Sequence, residues 1–187
     1  MTAPGPEDDQ RRKKYARTGT RDDQGASGQV VADTLRDAGL PVATRRPEQV
    51  TGVDGYDAVL LGSAVYAGRW LAQARSFAER FATELANRPT WVFSIGPLGH
   101  PSLPESDASE PIVIARRLAA RDCRTFAGRL ERAKLGLFER AMITAVKAPQ
   151  GDFRDFDEIR RWADDIALTL LAEGANRDLQ HSILPSR

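Results

Sequence analysis

The sequence predicts an α/β fold on a parallel sheet, and three observations carry that expectation. Residues 57–63 and 90–95 are apolar runs without alternation, the pattern of strands buried on both faces between helices. Amphipathic stretches of helical period follow each run. Strand and helix then alternate along the chain, which favours a parallel sheet with crossover helices. The 187 residues are about one domain's worth, enough for a full core without staples.

Each element has its own signal. Val30, Val31, Thr34, Leu35 and Ala38 fall at helical spacing, with Ser27 as expected N-cap and Gly39 as expected stop. Residues 41–45 read as a short strand and 51–55 as a turn. Leu71, Ala74, Phe77, Phe81 and Leu85 recur at three- and four-residue steps, an amphipathic helix that Pro89 ends. Residues 96–110 form a long loop with Pro97, Pro101 and Pro104, and Pro111 suits the first turn of a helix over 112–120. A third strand is expected over 125–130 and a further helix over 135–146. Asp155 with Glu158 forms a capping box opening a last helix through Trp162, Ile166 and Leu170. From Gly174 the chain reads as a polar, frayed tail.

Composition excludes several classes. Twenty-seven Lys and Arg against 26 Asp and Glu give a formal net charge of +1, so nothing draws the chain toward nucleic acid or an anionic membrane. No apolar run approaches the ~20 residues of a membrane span. There is no apolar leader, and cytoplasmic residence is the default expectation. The single Cys123 excludes an internal disulfide, and two histidines do not make a zinc site. His100 and His181 have no evident nucleophile or carboxylate partner, so no catalytic triad and no catalytic residue are assigned. Asp22-Asp23 and Asp164-Asp165 read as solvated faces rather than metal ligands.

In parallel sheets ligands bind beyond the carboxyl ends of the strands. Two loops there carry chemistry. One runs Gly62-Ser63-Ala64-Val65-Tyr66-Ala67-Gly68-Arg69-Trp70. Its glycines admit a flat ligand close to the backbone, and Tyr66 or Trp70 could cover a ring face. Packing of both aromatics on the sheet is an equal alternative. The other runs Ser94-Ile95-Gly96-Pro97-Leu98-Gly99, and a simple surface excursion is its alternative.

Together, residues 57–71, 91–99, 126–130 and 151–156 resemble, in this order, the third strand, fourth strand, fifth strand and start of the last helix of the flavodoxin-domain family. The closer branch is the one containing menaquinone-dependent protoporphyrinogen oxidase. The resemblance implies a flavodoxin-like doubly wound parallel sheet of order 2-1-3-4-5 and a non-covalent FMN. It places the flavin ring against Ser63, Ala64, Val65, Tyr66 and Gly68 on one side and Ser94, Gly96, Pro97 and Leu98 on the other. It places the phosphate on the loop after the first strand, where Thr18, Gly19 and Thr20 echo the family's Ser/Thr/Gly loop. The implied activity is that of an FMN-dependent oxidoreductase or electron-transfer protein. Its redox partner, or a quinone- or porphyrin-type substrate, is not specified.

The N-terminal 29 residues depart from that pattern. They contain no Val, Ile, Leu, Phe or Trp and read as a charged, irregular arm, with the domain over 30–172 and a polar tail over 173–187. The first strand is therefore expected to be degenerate or missing. Three explanations stay open: a reading frame displaced upstream of Gln29, which is favoured; an arm that folds poorly and leaves a cofactor-free scaffold; or a phosphate site still formed by Thr18, Gly19, Thr20, Ser27 and Gly28. Asp22 and Asp23 would oppose a dianionic phosphate. A receiver domain of the same fold is set aside, because the third strand ends Leu61-Gly62-Ser63 without an acceptor Asp.

Overall fold

The two apolar runs are the centre of the sheet. In the computed structural model, which describes residues 15–18, 23–66, 68–96, 109–130 and 151–183, they form β3 (Ala58–Tyr66) and β5 (Thr90–Gly96). The other strands are β1 (Tyr15–Thr18), β2 (Val42–Arg45), β4 (Arg69–Trp70), β6 (Asp122–Ala127), β7 (Arg129–Leu130) and β8 (Gly151–Asp152). The helices are α1 (Asp23–Asp37), α2 (Ala72–Arg80), α3 (Ala82–Ala86), α4 (Glu110–Arg117) and α5 (Phe156–Ile183). The main sheet runs β2-β1-β3-β5-β6, and the short β4 pairs with β3. With that hairpin strand set aside, the order is the expected 2-1-3-4-5. All neighbours along this path are parallel.

Both faces of the sheet are covered, which explains the lack of alternation. Ala58 and Leu60 of β3 pack with Trp91, Phe93 and Ile95 of β5 against Val31 and Leu35 of α1 and Ile159, Trp162 and Ile166 of α5. Val59 and Leu61, with Val92, pack on the opposite side against Ala74, Phe77 and Leu85 of α2 and α3 and Leu118 after α4. Phe93, Phe126 and Trp162 form an aromatic triangle with ring centroids 5.5–6.5 Å apart.

The expectation of a missing first strand is corrected. Tyr15–Thr18 is a central strand, with Ala16 in register with Ala43 on one side and Val59 on the other. Main-chain bonds to two neighbours hold a strand whose side chains give no apolar signal. Ser27 is not an N-cap: α1 starts at Asp23, and Ser27 lies inside the helix, fully buried. Thus β1 and the start of α1 both fall within the stretch read as an irregular arm. The last helix also outruns its expected end, passing through a buried Gly174 to Ile183. The helix expected over 135–146 lies outside the described residues.

Other local signals translate directly. Gly39 adopts φ 87° and closes α1 with Gly39 N–H on the Arg36 carbonyl and Leu40 N–H on the Leu35 carbonyl, a Schellman cap sealed by the buried Leu35 and Leu40. The helix expected from Leu71 breaks at Phe81 (φ −112°) into α2 and α3. Asp155 caps α5 by accepting from the amides of Asp157 and Glu158 at 3.0 and 2.9 Å.

Asp122 ties the start of β6 to α5. Burial raises its carboxyl pKa, but hydrogen bonds from the Trp162 indole (2.8 Å) and Arg124, the Arg124 charge and the Cys123 amide outweigh burial and hold it below the ordinary value. A depressed folded pKa contributes stability above the unfolded value of about 3.9, and that contribution is lost as pH falls through the folded value. The melting temperature of the wild type is therefore expected to fall relative to Asp122→Asn between about pH 5 and pH 2. Parallel pH profiles of the two proteins would contradict this.

Candidate functional site

The two strands that lead into the glycine-bearing loops end at one edge. β3 and β5 run side by side, with Ser63 in register with Ser94 and Ala64 with Ile95. The segments after both strands therefore leave from the same carboxyl edge. α1 begins five residues after β1 ends, so its unpaired amides open at that edge too.

The side chains of Ser63 and Ser94 turn inward. They are 1 % and 0 % exposed. The Ser63 hydroxyl donates to the Ala64 carbonyl at 3.0 Å and accepts the Leu71 amide at 3.1 Å. The Ser94 hydroxyl accepts the Trp70 indole N–H at 2.9 Å. What the two serines leave for a ligand is backbone. Trp70 is 2 % exposed and packs against the sheet, one of the two alternatives its sequence left open.

β3 continues beyond Ser63 to Tyr66 and then doubles back. Val65 pairs with Trp70 and Tyr66 with Arg69, around a turn containing Gly68 at φ 75°. Glu110, the first residue of α4, accepts the Trp70 amide through Oε2. Its Oε1 lies 3.5 Å from Arg69 Nε and 3.6 Å from Arg75. Sequence reasoning did not single out Glu110. Its only signal was its place before Pro111 at a helix start, and nothing local announced a partner 40 residues earlier.

The glycines divide into two kinds. A Cβ on Gly62 would sit 2.1 Å from the Phe93 ring, and one on Gly128 would sit 2.2 Å from the Gly96 carbonyl oxygen. Those two are required by packing. Among the described residues, a Cβ on Gly68 would meet nothing within 4 Å, and one on Gly96 nothing nearer than 3.8 Å. These two leave open backbone at the edge where a flat group would approach. Ser27 adds a buried polar group: its Oγ has no hydrogen-bond partner among the described residues, on the sheet-facing side of α1 with Val31 and Leu35 at i+4 and i+8.

Thr18 ends β1 rather than lying in a loop. Gly19, Thr20, Pro97, Leu98 and His100 lie outside the described residues, as does His181's side chain. Among the described residues no group of three or more His, Cys, Asp and Glu could hold a metal, and no helix is long and apolar enough to cross a membrane.

Residues 25–157 match the model of the Flavodoxin domain family. The chain belongs to the flavodoxin-domain family. The match begins inside α1, leaving β1 outside it. No curated protein matches the chain. Solved structures of similar fold include a flavodoxin of Streptococcus pneumoniae TIGR4, at 16% identity and TM-score 0.55, covering 83% of this chain and 98% of that one. A flavodoxin from the domain Archaea aligns at 12% identity and TM-score 0.54, covering 83% and 97%. The rubredoxin oxygen:oxidoreductase of Desulfovibrio gigas aligns at 13% identity and TM-score 0.55, covering 87% of this chain and only 36% of that longer one. At these identities the structural likeness is one of flavodoxin fold.

For a flavodoxin domain the natural group to test is FMN. The open backbone at Gly68 and Gly96, the adjoining ends of β3 and β5, and a 15-residue helix starting at the same edge suit a planar ring with an anionic tail. The inward hydroxyls of Ser63 and Ser94 take no part in that fit.

Proposed function

We propose that the chain binds FMN non-covalently at the carboxyl edge of its sheet and serves in electron transfer. The register of Ser63 with Ser94 and Ala64 with Ile95 carries this reading, because it sets the carboxyl ends of β3 and β5 side by side, where the proposed ring would lie. Bound FMN would supply one- and two-electron chemistry, and the protein would position it and tune its potential.

The chain's own contribution is recognition. Main-chain groups of Ala64, Val65, Gly68 and Gly96 would read the polar rim of the ring, with Tyr66 beside them. Pro97 and Leu98, and Gly19 and Thr20 next to Thr18, enter by sequence position. The first amides of α1 would meet the phosphate, where a helix start favours an anion. By their sequence position, the carboxylates of Asp22 and Asp23 would oppose a dianionic phosphate there.

The narrower reading is a flavoenzyme of the protoporphyrinogen-oxidase-like branch, with a quinone- or porphyrin-type partner. It rests on residues 57–71, 91–99, 126–130 and 151–156 and on a net charge of +1, unlike the strongly acidic carriers the sequence resembles. A cofactor-free scaffold is the competing reading, favoured by the internal use of both serine hydroxyls.

A ligand that binds only the folded state raises its apparent stability, by about 2.7 kcal/mol at a concentration near 100 times Kd. FMN is expected to raise the melting temperature, and riboflavin, which lacks the phosphate, to raise it less. No shift with FMN would favour the scaffold. Equal shifts would remove the phosphate role of α1.

A further inference from the structure

We infer that Glu110 is a positioning residue that fixes the hairpin wall of the flavin site against α4. The inference rests on the FMN reading above and adds to it a residue outside the ring-flanking segments.

The wall after β3 is a hairpin, and among the described residues its returning strand has no sheet neighbour on its outer side. The Trp70 amide, which pairing with Val65 leaves facing outward, is taken up by Glu110 Oε2. Arg69 from the same hairpin and Arg75 from α2 converge on Oε1. Glu110 itself begins α4, the first described helix after β5. One carboxylate therefore joins the hairpin of the first wall to α4.

The same hairpin is held from beneath. Trp70 donates its indole N–H to Ser94 on β5, and Leu71 its amide to Ser63 on β3. The hairpin is thus fixed to both strands below and to α4 beside it. Hydrogen bonds to a charged acceptor are the strong ones, and Glu110 sits at a helix start, where negative charge is favoured. Its side chain is 23% exposed, so solvent competes only in part. A binding site held only loosely loses affinity without losing its fold, and the core of this domain does not pass through Glu110.

The test uses the full chain with Glu110→Ala and Glu110→Gln. Backbone hydrogen exchange at Trp70 in the FMN-free protein reads the latch, and FMN titration by fluorescence quenching reads the site. Glu110→Ala is expected to speed exchange at Trp70 and to weaken FMN binding about tenfold or more. Glu110→Gln keeps an oxygen for the Trp70 amide but loses the attraction to the arginines. It is expected to recover most of the protection and to fall between the two in affinity. Faster exchange in Glu110→Ala with unchanged FMN affinity would overturn the inference and leave the flavin reading standing. Absence of FMN binding by the wild type would overturn both. If Glu110→Ala does not fold, Glu110→Gln decides alone, and wild-type affinity in it would count against a charged latch.

Discussion

Gly62→Ala is expected to destabilise the protein by about 1–3 kcal/mol, and that penalty is expected to disappear once Phe93 is also shortened. Gly62 lies beside Phe93 in the β3–β5 register, and a methyl there would sit 2.1–2.6 Å from three atoms of the ring. The ring cannot swing away cheaply. It is 1 % exposed and wedged against Phe126 and Trp162. Phe93→Ala alone is expected to cost about 3–5 kcal/mol, from lost burial and the cavity left behind. In the double variant the new methyl occupies part of that cavity. The combined loss should be smaller than the sum of the two by about 1 kcal/mol or more. Urea denaturation of the four proteins measures this directly, and simple additivity would show that the ring does not rest on Gly62.

Gly128→Ala and Gly96→Ala should differ sharply although the two residues touch. At Gly128 the intruding neighbour is the Gly96 carbonyl oxygen, with Ile95 Cγ2 at 3.0 Å. Backbone has no rotamer to escape into, so the ends of β5 and β6 must part. The expected cost is about 2 kcal/mol or more, with FMN binding lost because Gly96 is displaced. Among the described residues, a methyl on Gly96 meets only Thr125 Cγ2 at 3.8 Å and the Phe126 carbonyl at 3.9 Å. Stability should stay within about 0.5 kcal/mol of wild type. Packing among the described residues does not require this glycine, so on the proposed FMN reading the affinity should fall in Gly96→Ala although the fold is unharmed. Thermal melts paired with FMN titrations test both halves. Unaltered FMN affinity in Gly96→Ala would remove Gly96 from the site.

Side-chain periodicity made much of this fold legible. The apolar runs over 57–63 and 90–95 gave β3 and β5 because burial on both faces leaves a direct imprint on composition. Gly39 and Asp155 were legible because their roles need one residue type at one place. β1 was not, since a four-residue Tyr-Ala-Arg-Thr strand is held by main-chain bonds to two neighbours that no side chain announces. The start of α1 was hidden by Gly25 and Gly28, each costing a helix about 1 kcal/mol, while packing on the sheet outweighs that cost. α5 hid its length behind Gly174 in the same way. At the candidate site, sequence pointed to the ends of β3 and β5, which lie side by side, and not to which way their side chains point. Ser63 and Ser94 look like ligand groups in sequence, whereas their hydroxyls hold Leu71 and Trp70. Glu110 was invisible because its partner lies 40 residues away.

The most direct measurement is the visible absorption spectrum of the purified chain, taken after incubation with FMN and removal of unbound ligand. A retained yellow chromophore is expected, in about one-to-one amount with protein, its bands shifted from free FMN and bleached reversibly by a chemical reductant. A colourless protein that is folded but releases all its FMN on desalting, with no change in melting temperature during incubation, would contradict it.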